Sequence, residues 1–247
     1  MAAEAGRIFG PVPWLCVVAA KKASGKSELA RFAAYKYRDK FSSIVVISAT
    51  AEVTSGYTWL DDKHVHTGYD PAVLEGIIER QTAHKKAGRE VHCLVILDDI
   101  LACLPHNLSK YPELIRLATQ NRHLHVSLII CSQHPRAIAP AWRQNLDRLC
   151  ILRSLRPAYE LLASEYSNFP TKRDFIEFLE EHTADFGIVM FNARESDPDK
   201  FYTVFRVPSE FMQFKFSLKC CSNCWCTPKK TESTTKPRSQ PAFSLFD

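Results

Sequence analysis

The sequence contains no run of about 20 apolar residues, the length that a helix needs to cross a bilayer. Residues 1–8 also lack the long apolar segment that a secretion signal carries. The chain has no internal repeat. We therefore expect a soluble intracellular protein with no membrane partner.

The chain also lacks a strong excess of charge of either sign. Its 247 residues include 32 Lys and Arg against 27 Asp and Glu, a formal net charge of +5, and much of this excess lies beyond residue 218. The overall charge therefore does not demand a nucleic-acid surface, although a charged loop or a ring of subunits could still supply one. The length suits one α/β domain with a sizeable core.

The nine cysteines do not form the pattern of a disulfide framework. Five stand singly in apolar runs, as small buried hydrophobic residues do: Cys16, Cys93, Cys103, Cys131 and Cys150. This usage indicates a reducing compartment.

Four further cysteines are clustered near the end of the chain. Cys221 and Cys224 have half of a zinc-ribbon spacing, but no second Cys or His pair follows them. Zinc, lipidation and free thiols all stay open. A Pro/Ser/Thr/Lys-rich segment follows and predicts a disordered tail. We expect an N-terminal arm over 1–13, one domain over 14–216 and this tail over 217–247.

Apolar, β-branched runs alternate with helical patterns along the domain. The runs predict five buried strands of a parallel sheet: Trp14–Val18, Ile44–Ile47, Cys93–Leu97, Val126–Cys131 and Leu149–Leu152. The helical patterns cover Glu28–Lys40, Pro71–Lys86 with Asp70 as N-cap, Leu108–Thr119, Ala158–Tyr166 and Lys172–His182. The alternation predicts an α/β fold in which helices sandwich the sheet. Two last strands, Phe186–Phe191 and Phe201–Val207, should form a C-terminal hairpin.

The segment between the first strand and the first helix has the pattern of a phosphate-binding loop. It consists of Ala20, Lys21, Lys22, Ala23, Ser24, Gly25, Lys26 and Ser27. In such a loop, backbone N–H groups and a helix N-terminus surround the phosphates of a nucleotide, a lysine reaches the β- and γ-phosphates, and a hydroxyl holds Mg²⁺. Lys26 and Ser27 fit the last two roles. Ala20 replaces the usual first glycine, so its backbone should avoid a positive φ.

Two carboxylates, Asp98 and Asp99, follow the third apolar strand. At the C-terminal edge of a sheet, Asp98 is placed to hold Mg²⁺ and Asp99 to polarise the attacking water of a phosphoryl transfer. The alternative is that both only cap the segment that begins at Ile100. Another strand lies between the loop and the carboxylates in sequence, which is typical of P-loop NTPases with an extra strand and an adjacent catalytic acid.

The next strand ends in Ser132-Gln133-His134-Pro135. An amide there can contact the γ-phosphate or the attacking water, so Gln133 is a candidate sensor of hydrolysis. The alternative is that it only caps a turn. Four arginines follow, any of which could enter a neighbouring subunit's site or form a surface ion pair: Arg136, Arg143, Arg148 and Arg153.

Taken in order, the loop, Asp98-Asp99, Ser132–Pro135 and Trp142–Asn145 resemble the poxvirus-type genome-packaging ATPases of the FtsK/HerA class. The resemblance extends as a pattern over Trp14 to Val207. It implies that Gln133 is the sensor and that Arg143 is the arginine that acts between subunits. The cysteine-rich tail has no counterpart in this family.

The resemblance further implies a ring, with a hexamer favoured, that hydrolyses ATP and drives double-stranded DNA into a preformed capsid, with a capsid or portal protein as its partner. Such a motor would work at virus assembly sites in the host cell, in the nucleus or the cytoplasm. A viral ring helicase and a slow nucleotide-binding scaffold are the alternatives. A GTPase is disfavoured because the chain lacks Asn-Lys-x-Asp.

Overall fold

A computed structural model describes residues 8–51, 55–100, 104, 111–135, 138, 140–209 and 215. The strands are β1 Leu15–Ala19, β2 Phe41–Ser48, β3 Val65–Thr67, β4 His92–Asp98, β5 Val126–Ser132, β6 Arg148–Ile151, β7 Gly187–Asn192 and β8 Tyr202–Arg206. The helices are α1 Lys26–Lys36, α2 Pro71–Lys86, α3 Pro112–Gln120, α4 Pro140–Asn145, α5 Arg156–Tyr166 and α6 Lys172–His182.

The eight strands form one sheet in the order β3-β2-β4-β5-β1-β6-β7-β8. The first six are parallel, and β7 and β8 extend the sheet as an antiparallel hairpin. This confirms the predicted α/β fold, its five parallel core strands and the C-terminal hairpin. One parallel strand, β3, was not predicted. It has only three residues and is partly exposed, so its sequence contains no apolar run that would indicate a strand.

The sheet separates two apolar cores, as the alternation of side chains along a strand requires. From β1, Leu15 and Val17 point into one core, which α2 to α6 cover. Cys16 and Val18 point into the other, which α1 and the segment around Trp59 cover. Burial of each large apolar side chain stabilises the fold by roughly 1.5–3 kcal/mol. Helices therefore sandwich the sheet, with most of them on one face.

The segment before β1 contributes to the second core. Phe9 is buried and stacks on Trp14 with ring centroids 5.1 Å apart. Tyr37 packs edge-on against Trp14, and its hydroxyl donates to Gly10 O at 2.8 Å. The proposed boundary at residue 13 stays a prediction.

Helix boundaries follow local capping where the chain supplies it. Asp70 Oδ1 accepts from Ala72 N at 2.9 Å, so α2 begins at Pro71 as predicted. The expectation of a first helix over Glu28–Lys40 is wrong at both ends. Gly25 starts α1 two residues earlier, and the chain turns from Tyr37 onward to enter β2.

Four cysteines, Cys16, Cys93, Cys131 and Cys150, are buried free thiols, as predicted. Burial raises the pKa of the Cys93 thiol to about 12. Cys103 and the cluster with Cys221 and Cys224 lie outside the described residues. Among the helices that the structure describes, none is long and apolar enough to span a membrane.

One polar network was not predicted. The Asp147 carboxylate is fully buried, accepts from Leu15 N at 2.8 Å, and forms ion pairs with Arg122 and Arg194. Its partners come from distant parts of the chain, so sequence spacing carries no signal for them. The network anchors the start of β1, the strand that leads to the phosphate-binding loop.

Candidate nucleotide site

Three parallel strands bring the predicted motifs to one edge of the sheet. In the ladders, Ala19 of β1 pairs with Ser132 of β5, and Asp98 of β4 pairs with Cys131. The loop after β1, the carboxylates after β4 and Gln133 after β5 therefore lie side by side. The expectation that Gln133 follows the strand beside the carboxylate strand is confirmed.

The phosphate-binding loop is tied to strands on both sides of β1. Ala20 N donates to Ser132 O and Lys21 N donates to Arg153 O, both at 3.1 Å. Ala20 does not have a positive φ, so the missing glycine costs nothing there. The left-handed residues are instead Ala23, with φ of 58°, and Gly25, with φ of 95°. For Ala23 this conformation costs roughly 1–2 kcal/mol, and such strain is common in loops that clamp a ligand.

Lys26 lies at the first turn of α1 and is 8% exposed. Its Nζ is 3.4 Å from Ala20 O, 3.3 Å from Lys21 O and 3.8 Å from Asp99 Oδ2. Gly25 precedes the helix without a side-chain cap, so first-turn N–H groups face outward from the helix end. A buried cation beside a helix N-terminus is the arrangement that binds a phosphate.

Asp98 is the last residue of β4 and is 6% exposed. Burial raises its pKa, as does the charge of Asp99, whereas the Tyr57 hydroxyl and the charge of Lys26 oppose this rise. Among the residues that the structure describes, none forms a hydrogen bond to the buried Oδ1 of Asp98. Such an oxygen fits a divalent cation, which would favour the ionised carboxylate. A hydroxyl such as that of Ser27 is a second oxygen ligand of the kind that Mg²⁺ prefers.

Tyr57 was not predicted as part of this edge. It is buried beside Asp98. Burial raises the pKa of its phenol well above the usual value and the charge of Asp98 raises it further, whereas the Ser27 hydroxyl opposes this rise. It belongs to a short turn between β2 and β3, where a single tyrosine carries no motif.

Asp99 brings the remaining predicted groups together. Its Oδ2 accepts from Gln133 Nε2 at 2.7 Å and lies 3.8 Å from Lys26 Nζ. Its N–H donates to Cys131 O at 3.1 Å, and its φ is 54°, a strained value for a residue with a side chain. The backbone after β4 is thus held so that the carboxylate faces both the loop lysine and the amide.

The arginine candidates differ in their contacts and in their exposure to solvent. Arg143, on α4, forms an ion pair with Glu165 of α5 in the same chain. Arg148 is buried and donates to Asp147 O at 2.8 Å and to Asn192, so it cannot extend towards another subunit. Arg153 is exposed next to the loop, and Arg136 lies outside the described residues.

A cavity of about 280 Å³ adjoins the loop. Its lining residues are Lys21, Lys22, Ala23, Ser24, Arg153, Asp185 and Phe186. The prediction that Phe186 begins a strand is wrong: β7 begins at Gly187, and Asp185 and Phe186 both have positive φ, 48° and 60°. Asp185 and Phe186 are remote in sequence from every predicted motif, so no sequence signal assigns them to the site.

Another cluster lies at the opposite edge of the sheet. Glu90, His92 and His125 place ligand atoms within 4.8 Å of one another, where β4 and β5 begin. The length of β4 separates this cluster from Asp98, so we do not include it in the nucleotide site.

Comparison with known proteins agrees with this geometry. A family model described as Poxvirus A32 protein matches residues 21–185. Uncharacterized protein L437 of Acanthamoeba polyphaga mimivirus is 30% identical over 147 residues, which cover 56% of this chain and 51% of that protein. Uncharacterized protein 075L of Invertebrate iridescent virus 6 is 25% identical over 192 residues, with coverage of 75% and 73%. The chain thus spans about half the length of the first of these relatives.

Solved structures share the fold. The genome packaging NTPase B204 from Sulfolobus turreted icosahedral virus 2, in complex with ATP-gammaS, superposes with a TM-score of 0.57 at 16% identity, covering 79% of this chain and 98% of that chain. The cytoplasmic domain of the Type VII secretion ATPase EccC from Thermomonospora curvata gives a TM-score of 0.52 at 16% identity, with coverage of 81% and 25%. At these identities the likeness establishes the fold.

Proposed function

We propose that this chain, which belongs to the Poxvirus A32 protein family, hydrolyses ATP in order to move double-stranded viral DNA into a capsid. One observation carries the proposal: Lys26 and Gln133 both approach Oδ2 of Asp99, the residue that follows the buried Asp98. That set of groups is what the hydrolysis of a nucleoside triphosphate needs.

In the proposed reaction, Lys26 and the first-turn N–H groups of α1 hold the β- and γ-phosphates. Ser27 and Asp98 would hold Mg²⁺, which when bound neutralises charge on the phosphate oxygens. Asp99 orients the attacking water and accepts its proton as the water oxygen bonds to the γ-phosphorus. The bond from the γ-phosphorus to the β–γ bridging oxygen breaks, and ADP leaves with that oxygen while inorganic phosphate is released. The Lys26 ammonium then balances the negative charge that collects on the transferring group.

Gln133 would report the state of the nucleotide. Its amide Nε2 donates to Asp99 Oδ2 with a hydrogen bond of 2.7 Å. A γ-phosphate or attacking water would compete for that amide, so binding and hydrolysis would shift the end of β5. We propose this exchange as the step that couples the ATP site to movement of DNA.

The DNA partner can be tested by measuring steady-state ATP hydrolysis with duplex, single-stranded and no DNA. We expect duplex DNA to raise the rate several-fold, because a packaging motor hydrolyses ATP productively only when engaged with its track. Stimulation by single strands alone would favour a ring helicase. Negligible hydrolysis under all three conditions would favour a nucleotide-binding scaffold. Either result would contradict the packaging proposal.

We also propose that Arg143 acts across an interface in a homo-oligomeric ring, with a hexamer favoured. The ion pair with Glu165 would then open when subunits assemble on a capsid or portal protein at the site of virus assembly. An arginine supplied by a neighbour stabilises the charge on the transferring phosphoryl group.

Mixed rings test the Arg143 assignment. Arg143→Ala and Lys26→Ala subunits should each be inactive alone, and mixing them should restore part of the ATPase activity, because some interfaces then combine an intact lysine with an intact arginine. Arg173→Ala is a matched control, since Arg173 also pairs with a glutamate of its own chain, Glu177. No recovery in the mixtures would exclude Arg143 as the arginine between subunits.

A further inference from the structure

We propose that Phe186 is the base-binding surface of the site and that the nucleobase of the bound nucleoside triphosphate stacks on its ring. This rests on the proposed function, since it takes the phosphates to lie against Lys26 and the loop. The predicted motifs contact only the phosphates of the substrate, and Phe186 would contact its base.

The cavity next to the loop has the right position for a nucleoside. Four of its lining residues belong to the phosphate-binding loop, and the others come from the segment after β6 and from the turn before β7. It therefore continues directly from the position of the phosphates. Its volume, about 280 Å³, leaves room for a base.

The Phe186 ring stands close to the loop. A Cβ built on Gly25 would be 3.5 Å from Phe186 Cδ1 and 3.9 Å from Leu152 Cδ2. A side chain at the position that precedes α1 would thus be in van der Waals contact with the ring, which places Phe186 beside the start of the helix. In a nucleotide whose base contacts this ring, only the ribose would separate the base from phosphates bound at the N-terminus of α1.

Phe186 is 68% exposed, which is unusual for a phenylalanine in a folded domain. It also follows Asp185 in the left-handed region, with φ values of 48° and 60°. An exposed apolar ring and two strained residues in succession both cost stability. Such costs are concentrated where a ligand uses the geometry.

The surrounding structure holds the turn in this strained form. Before it, the Thr183 hydroxyl contacts Tyr159 Oη at 2.6 Å and Leu179 O at 2.7 Å. After it, Gly187 has no room for a side chain, because a Cβ there would lie 2.0 Å from His182 O. The ring is therefore presented beside the loop by a turn fixed at both ends.

Stacking on an aromatic ring does not distinguish strongly between bases, since every base has a π-face. A phenyl ring also has no hydrogen-bonding group that could read the base edge. The site should therefore take nucleoside triphosphates with little preference between adenine and guanine.

Calorimetric titrations in the presence of Mg²⁺ can measure the contribution of the base to binding separately from that of the phosphates. The probes are a non-hydrolysable ATP analogue, the matching GTP analogue and inorganic tripolyphosphate. In Phe186→Ala the ATP analogue should bind roughly tenfold more weakly, the loss expected for one base–aromatic stack, while tripolyphosphate should bind as it does to the wild type. Phe186→Trp should restore the affinity for the ATP analogue.

Leu155→Ala is the matched control, because Leu155 is also 68% exposed but does not line the cavity. It should leave all three affinities unchanged. Binding of the ATP analogue to Phe186→Ala at the wild-type affinity would overturn the base-stacking proposal alone. Failure of both the ATP analogue and tripolyphosphate to bind the wild type would instead overturn the proposed nucleotide site.

Discussion

Replacing Asp99 with asparagine should slow ATP hydrolysis by roughly 10²–10⁴-fold and leave ATP binding intact or slightly stronger. Asparagine keeps an oxygen that can accept from Gln133 Nε2, so the local geometry is preserved. It removes the base that accepts the proton of the attacking water, together with a negative charge near the phosphates. Single-turnover hydrolysis and equilibrium binding of ATP measure the two effects separately.

Asp39→Asn is a suitable control for this variant, since Asp39 is exposed in the turn before β2. Its hydrolysis rate should equal that of the wild type. If Asp99→Asn also hydrolysed ATP within tenfold of the wild-type rate, another group would have to activate the water, and the role given to Asp99 would be wrong.

Lys26→Ala should weaken ATP binding by roughly 10²-fold and remove measurable turnover. In the proposed site the buried ammonium would make charge-assisted contacts to the phosphates, and each such contact contributes about 1.5–3 kcal/mol. In the wild type, Lys26 Nζ lies 3.8 Å from the Asp99 carboxylate. The substitution therefore also removes the cation that faces this carboxylate. Titration with ATP and Mg²⁺ gives the change in affinity directly.

Lys40→Ala removes an exposed lysine just beyond α1 and should change the ATP affinity less than twofold. This pair of variants separates the local role of Lys26 from a general effect of net charge. Equal affinities of Lys26→Ala and Lys40→Ala for ATP would mean that the phosphates bind elsewhere.

Several features of the fold could be predicted because they depend on short-range patterns. Buried parallel strands are nearly continuous apolar runs, so β1, β4 and β5 were found within one residue of their bounds. Once those strands are parallel, the groups that follow them must meet at one edge. The proximity of Lys26, Asp99 and Gln133 therefore follows from the order of motifs along the chain.

The remainder depends on contacts that the sequence pattern does not encode. Asp99 has a positive φ, and its N–H donates to Cys131 O on the neighbouring strand, a contact that is remote in sequence. Phe186 reaches the loop only because the chain after α6 turns sharply before β7. Both are set by tertiary packing, and neither has a local sequence signal.

The central claim is that Lys26, Asp98, Asp99 and Gln133 act on one bound nucleotide. It is tested most directly by a crystal structure of the Asp99→Asn variant with ATP and Mg²⁺. We predict a γ-phosphate in contact with Lys26 Nζ, with Mg²⁺ on the side of Ser27 and Asp98. A nucleotide bound away from the loop, or a metal ion remote from Asp98, would contradict the account.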